Sequence, residues 1–432
     1  MAKVTHLYMK SIVKFSLFSF IFLFYISCGF KNNTNPSNST SANLKTVTAK
    51  DILGNPAYQA ICYEGYREKS RSIQPTVAQL QEDLRILHAM DIRIVRTYNV
   101  QLAHASTLLK AIQELKQQDP TFEMYVMLGA WIDCQNAWTD KAPNHDVESE
   151  QNEGEIARAV ALANQYPDIV KIIAVGNEAM VKWATSYYVQ PAVILKWVKH
   201  LQNLKAEGKL SKDLWITSSD DFASWGGGDS SYHTQDLAEL MKAVDYISIH
   251  TYPYHNTHYN PDFWKVPATE TALPEIEKVD AAMLRARDFA KTQYENVKKY
   301  MTSVGVNKPI HIGETGWAST SDGFYGAEGS RATDEYKQGK YYQLMREWTN
   351  AAGISCFYFE AFDEQWKDAA NPMGSENHFG LFNLKGEAKY GLWNLVDEKI
   401  FEKLSRGGNP IQKTENGNKE KIMKTVLPPP NK

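Results

Sequence analysis

The sequence predicts an α/β protein, a (β/α)8 TIM barrel with a single catalytic domain. Three observations carry that expectation. From residue 55 onward, short apolar runs alternate with amphipathic stretches about eight times. Each run is nearly continuous in Val, Ile and other apolar residues, as a parallel strand covered on both faces requires. Run after run then ends in polar side chains that core packing does not need. Alternating strands and helices imply a parallel sheet with helical crossovers, and eight such units close a barrel with its active site at the strand C-terminal rim. The competing fold, an open doubly wound sheet, lacks its usual Gly-rich phosphate turn here.

The strands are expected at 58–63, 93–97, 124–128, 170–175, 214–218, 246–250, 309–312 and 354–359. Between the first two, 76–90 places Val77, Leu80, Leu84, Leu87 and His88 at helical spacing. Pro191 fits the first turn of a helix over 192–206, and Gly208 fits its end. At the start of the chain, Lys3, Lys10 and Lys14 precede an apolar stretch over 15–26, broken only by Ser16 and Ser19. About a dozen apolar residues are too few for a membrane span, so residues 1–27 are read as a signal peptide. Tyr25-Ile26-Ser27-Cys28-Gly29 resembles a bacterial lipoprotein cleavage box, which makes Cys28 the lipidation site. Residues 28–50, rich in Asn, Ser and Thr, then form a flexible tether. The barrel is expected over 51–405. A tail over 406–432, with Gly407-Gly408, several Lys and Asn, and Pro428 to Pro430, reads as disordered or loosely packed.

Composition narrows the function. The 432 residues carry a net charge of −3 with both signs interspersed, which excludes attraction to nucleic acid or to an acidic lipid surface. The membrane is met only through the lipid anchor, and a monomer in the cell envelope is expected. The 11 Trp and 23 Tyr suit a cleft that stacks flat apolar ligand faces. Cys62, Cys134 and Cys356 form no CxxC pair. Cys62 and Cys356 become neighbours if the first and last strands meet, and buried free thiols are expected there rather than a disulfide framework. His250, His255 and His258 match no standard zinc spacing and read as polar loop histidines. Gly226 to Gly228 lacks the Lys-Ser/Thr of a phosphate loop. Neither a metal nor a cofactor is expected.

The predicted rim collects Tyr63-Glu64, Arg96 to Asn99, Trp131 to Asp133, Asn177-Glu178, Asp220-Asp221, His250 to Tyr252, Glu314 and Glu360. Two carboxylates stand out. VGNE ends at Glu178 and IGETGW is centred on Glu314, each reading as an apolar strand that stops at Gly and presents an acid. Paired carboxylates of this kind suit general acid and nucleophile roles on a sugar. Arg96 either supplies positive charge near Glu314 or anchors the barrel through a carboxylate. Tyr98 and Trp317 are the candidate sugar-stacking platforms.

Five stretches in order carry a resemblance: VGNEA at 175–179, DYISIHTYPY at 245–254, IGETGW at 312–317, YFEAFDEQWK at 358–367 and HFGLFNLKGEAKY at 378–390. Over roughly residues 57–395 the chain resembles glycoside hydrolase family 17, the β-1,3-glucanase family of retaining barrel enzymes. The resemblance implies that Glu178 after strand four is the general acid/base and Glu314 after strand seven the nucleophile. It further implies that Asn177 binds the sugar 2-hydroxyl, that Tyr252 orients the nucleophile, and that Lys367 and Glu376 contact a glucosyl unit. Glu360, Asp363 and Glu364 add carboxylates without an assigned role. The implied function is endo-acting, retaining hydrolysis of a laminarin-like β-1,3-glucan. Two alternatives use the same residues: a β-1,3-glucanosyltransferase, and a catalytically silent glycan-binding lipoprotein.

Overall fold

A computed structural model of the protein describes residues 47–432. The signal peptide, Cys28 and most of the expected tether therefore lie outside the described residues. Eight strands form the barrel: β1 (Gln59–Cys62), β2 (Ile92–Arg96), β3 (Tyr125–Ala130), β4 (Val170–Asn177), β5 (Trp215–Asp221), β6 (Ile247–His250), β7 (Ile310–Gly316) and β8 (Cys356–Phe359). All neighbours are parallel and the ring closes where β1 pairs with β8, Ala60 opposite Phe357. The predicted TIM barrel is the observed fold.

Helices α1 (Val77–Ala89), α2 (Ala103–Gln118), α3 (Gln151–Gln165), α4 (Pro191–Ala206), α5 (Gln235–Ala243), α6 (Glu275–Ser303) and α7 (Glu335–Ala351) carry the crossovers. Local sequence explains their ends. Thr76 caps α1 and exchanges hydrogen bonds with Gln79, a capping box that satisfies the first-turn donors. Pro191 opens α4, where its missing N–H costs nothing. Strand interiors are apolar on both faces; every residue of β3 and β7 is buried. No helix among the described residues is long and apolar enough to cross a membrane.

Several elements depart from expectation. β4, β5 and β7 run two to four residues further than their apolar runs, because Asn177, Asp221 and Glu314 still take part in the ladder. Gly313 therefore does not end a strand. A Cβ there would lie 2.1 Å from Ser248 Oγ and 2.4 Å from Ser219 Oγ, so close packing inside the barrel requires glycine. Gly176, by contrast, has φ +82° and does turn the chain, at the irregularity between Ala174 and Asn177 that swings Glu178 over the rim.

The tail over 406–432 is not loose. Ser405–Arg406 pairs with Asn409–Pro410, and the buried Arg406 guanidinium donates to both oxygens of Asp83 on α1 at 2.9 and 3.2 Å. Further on, Thr414 Oγ1 donates to Glu335 at 2.6 Å, Ile422 is buried, and Val266 N–H donates to the Pro430 carbonyl. A polar tail is fixed here by long-range ion pairing and backbone bonds in place of a sustained apolar face. Cys62, Cys134 and Cys356 are buried free thiols, and burial raises each of them above the usual thiol range.

Candidate active site

Glu314 sits in β7 with both oxygens occupied. Arg96 Nη1, from the end of β2, donates to Oε2 at 2.7 Å, and Tyr98 donates to the same oxygen at 3.0 Å. Tyr252, just past β6, donates to Oε1 at 2.5 Å. Burial alone would push this carboxyl up, but the neighbouring His250, Arg96 and the two phenols outweigh it and hold Glu314 below the usual carboxylate value. Burial holds His250 neutral above about pH 4, so at neutral pH Arg96 and the hydrogen bonds keep Glu314 ionised. Arg96 also donates to the Gly313 carbonyl at 2.7 Å and, through Nη2, to Asn177 Oδ1 at 2.6 Å. It meets both readings made of it: positive charge beside Glu314 and a tie across the barrel.

Glu178 stands opposite, half-buried, with φ +48°. Burial, and then the charge on Glu314, push its carboxyl up to about 8. An oxygen of Glu178, an oxygen of Glu314 and a His250 ring nitrogen all lie within 4.8 Å of one another. His250 Nδ1 pairs with Glu178 Oε1 at 3.0 Å, while Nε2 pairs with Ser219 Oγ at 2.8 Å. These three groups are the only metal-type cluster among the described residues. Arg96 and two phenols already saturate Glu314, so the donor set suits a carboxylate pair of unequal protonation better than a cation.

Beside Glu314, β8 and the segment after β1 raise an ionic wall. Lys367 Nζ lies 3.5 Å from both Glu360 Oε2 and Glu364 Oε2, with its charge deepened by these carboxyls. Burial raises Glu64, Glu360 and Glu364 above the ordinary value, and Glu64 Oε1 and Glu360 Oε1 have no hydrogen-bond partner among the described residues. Glu64 Oε1 faces the buried His104 Nε2 at 3.4 Å, whereas Glu360 Oε1 is left open and is suited to a ligand hydroxyl. Glu376 is exposed on the turn Ser375–His378, whose Ser375 and Asn377 are buried, and is close enough to feel the charges of Lys367 and Glu314. Asp363 is taken instead by Lys389 at 2.7 Å and the Gly380 N–H at 2.9 Å, a structural role.

Of the two expected platforms, Trp317 is not one. Trp317 is fully buried; its Nε1 donates to the Ala332 carbonyl at 2.8 Å and its ring packs among Tyr254, Trp264 and Tyr341. Immediately after β7 the side chain turns into the core. Tyr98 is half-buried beneath Arg96, 4.6 Å from its ring, and serves Glu314 through its hydroxyl. Asn177, Tyr252, Lys367 and Glu376 join Glu178 and Glu314 at the rim as expected.

A sequence model of the BtgE/BtgC glycoside hydrolase domain matches residues 60–380. The crystal structure of an endo-laminarinase from Formosa Hel1_33_131 superposes with a TM-score of 0.89 at 66% identity, covering 89% of this chain and 98% of that one. The chain belongs to the BtgE/BtgC glycoside hydrolase family. The resemblance to glycoside hydrolase family 17 is thereby borne out. Among relatives of this family, btgC of Aspergillus niger, named for glucan endo-1,3-beta-glucosidase, is 23% identical over 329 residues, 74% of this chain. The chain spans 40–45% of the length of the first curated btgC relatives it matches. A family 17 β-1,3-glucanosyltransferase from Rhizomucor miehei shares the fold at 20% identity and a TM-score of 0.54, covering 78% of this chain and 96% of that one.

Within this BtgE/BtgC-type barrel, His250 is the residue whose place was misread. It is no loop histidine but the buried last residue of β6, between the two glutamates. The signal was present: Ser248, His250 and Tyr252 alternate with Ile247 and Ile249, which puts the polar set on one face.

Proposed function

We propose that the protein is a retaining, endo-acting β-1,3-glucan hydrolase of the laminarinase type. The observation that carries the reading is the close pair of carboxyl groups, with oxygens within 4.8 Å and opposed protonation. Retaining glycosidases need about 5–5.5 Å between such groups, whereas an inverting pair leaves room for a water. The likeness to an endo-laminarinase over nearly the whole of its chain supports the substrate.

In the first step the Glu314 carboxylate attacks the anomeric carbon and the bond to the leaving oxygen breaks. That oxygen takes the proton of Glu178, and a covalent glycosyl-enzyme forms. In the second step Glu178, now ionised, takes a proton from water. The hydroxide oxygen bonds to the anomeric carbon and releases Glu314. Asn177, its Oδ1 held by Arg96, keeps its amide nitrogen as a donor for the 2-hydroxyl, a contact that strengthens in the transition state.

Time-resolved product sizes from linear β-1,3-glucan test this. Early mid-length oligosaccharides are expected; products longer than a defined oligosaccharide substrate would move the assignment to the glucanosyltransferase. Glu314→Gln is expected to lower kcat by about 10⁴-fold or more while glucan binding persists. Retained turnover in that variant would remove Glu314 as nucleophile. We further propose lipid anchoring through Cys28 in the cell envelope, and a monomer. A fatty-acyl mass shift lost in Cys28→Ala, and light scattering of the soluble domain, test these two points.

A further inference from the structure

Between β3 and α3 the chain makes a hairpin, Cys134–Gln135 with Asn144–Glu148, that packs on the loop running from Glu178 to α4. Cys134 N–H donates to the Tyr187 carbonyl at 3.1 Å, and Gln190 donates to Asp146 Oδ1 at 3.1 Å. His145 stacks on Tyr188 with ring centroids 3.7 Å apart. The two segments share a small apolar core of their own, Val181, Ala184 and Tyr187 with Trp131, Ala137 and Tyr188. A loop that needed only to connect β3 to α3 would not carry a second core.

On this module three aromatic rings form a compact triangle, with Trp131 and Trp138 6.4 Å apart. Trp131 and Tyr187 lie 5.2 Å apart, and Trp138 stacks on Tyr187 at 5.0 Å and 23°. Trp138 is nevertheless 63% exposed and Trp183, five residues beyond Glu178, is 61% exposed. Trp138 also has φ +61°, left-handed backbone that a bulky side chain seldom adopts. Outliers of this kind persist where surrounding structure enforces them, and they gather at ligand clamps. Tyr187 is nine-tenths buried as a residue, but its hydroxyl is not one of the buried unpaired atoms and reaches solvent, where no side chain among the described residues bonds it. Burial comes first and the charges of Glu178, Asp220 and Glu314 follow in raising that phenol.

We propose that the exposed rings of Trp138, backed by Tyr187, and Trp183 form the leaving-group-side sugar platform, on which the glucosyl units departing from Glu178 stack. The inference rests on the glucan-hydrolase reading. Glu178 delivers its proton to the leaving oxygen, so the wall that continues from Glu178 faces the departing chain. The ionic wall of Lys367 and Glu360 adjoins Glu314 and is left for the sugars that remain. The pyranose C–H face is apolar and slightly positive, and it matches the negative face of an indole. The unpartnered Tyr187 hydroxyl offers a donor to a sugar hydroxyl at the near end.

The test follows cleavage positions on a six-unit β-1,3-glucose oligomer labelled at its reducing end, for the wild type, Trp138→Ala, Trp183→Ala and the conservative Trp138→Phe and Trp183→Phe. Loss of leaving-side stacking lets the remaining sites choose the register. Cleavage is then expected to shift toward the reducing end, with kcat/KM about tenfold lower, and Phe to restore the wild-type positions. An unchanged distribution of cleavage positions in both Ala variants overturns the platform, whether or not the rate falls, since a merely structural defect lowers rate without moving the register. A wild type that spares this oligomer and cuts another glucan overturns the substrate instead. The same comparison on that glucan then decides the platform.

Discussion

The wall that β8 and β1 raise beside Glu314 is ionic and deeply buried, whereas the wall that follows β3 and β4 beside Glu178 is aromatic and open at its edge. In the first, Lys367 faces Glu360 and Glu364 with Glu64 close by, and Glu360 Oε1 is a buried acceptor without a partner among the described residues. In the second, Trp138 and Trp183 present bare rings and one phenol hydroxyl lacks a partner. The contrast suits two binding tasks of unequal stringency. Directed, charge-assisted hydrogen bonds fix one sugar in one orientation, as the attacked residue must be fixed. Ring stacking tolerates sliding and release, as a departing chain requires. The difference teaches that the protonation asymmetry of the two glutamates extends outward into the cleft.

The largest test of that asymmetry is Glu178→Gln. Removing the general acid is expected to lower kcat on β-1,3-glucan by about 10²–10⁴-fold, and by much less on an aryl glycoside whose phenol leaves without a proton. In the wild type, kcat/KM should fall as pH rises through about 8, where Glu178 loses its proton. The acid limb should lie below the usual carboxylate range, where Glu314 gains one. In Glu178→Gln the alkaline limb should vanish and the acid limb persist. An alkaline limb that survives the substitution would assign it to another group and dissolve the division of labour between the walls.

Next in size comes Lys367→Met, which leaves three buried carboxyls without their shared cation. Breaking a buried ion network by removing one partner costs about 3–5 kcal/mol. The carboxyls of Glu64, Glu360 and Glu364 already lie above their ordinary value, and without Lys367 they rise further. The unfolded chain keeps ordinary values, so the stability deficit should grow as pH rises and shrink in acid. Urea unfolding at pH 5 and pH 8 checks this, and a deficit equal at both would mean packing loss alone. The exposed rings of the aromatic wall should behave differently: Trp138→Ala is expected to change stability by about 0.5 kcal/mol or less.

How much of this was legible depended on range. Glu178 and Glu314 were readable because each acid adjoins an apolar run and a glycine within a few residues, and the barrel was readable because the alternation is itself local. Yet the glycines had different reasons: Gly176 turns the chain, while Gly313 avoids Ser219 and Ser248, contacts that exist only once strands are neighbours. Trp317 read as a platform because it follows a catalytic strand, but the core that takes it in is built from Tyr254, Trp264 and Tyr341 on other elements. The tail read as loose because Arg406 is far in sequence from Asp83, its buried partner. The Trp131, Trp138 and Tyr187 array belongs to two loops and follows no period, so no pattern in the chain announced it.

The smallest effect separates ligand binding from folding at a single atom. Tyr187→Phe removes the hydroxyl that has no partner among the described residues and leaves the ring on which Trp138 stacks. That hydroxyl reaches solvent and bonds nothing in the fold, so its loss should leave the melting temperature about unchanged. If that hydroxyl meets a sugar hydroxyl in the complex, kcat/KM on β-1,3-oligosaccharides should fall by about two- to tenfold, the worth of one neutral hydrogen bond. The fall should appear for oligosaccharides long enough to occupy the leaving side, and disappear for an aryl glycoside that offers no second sugar. A lower melting temperature with unaltered kinetics would mean that the hydroxyl serves the fold, and the aromatic wall would then be a packing device with two exposed tryptophans. Faster unfolding and weaker catalysis together would tie the wall to both roles, since the Tyr187 ring belongs to the small core around Val181 and Ala184.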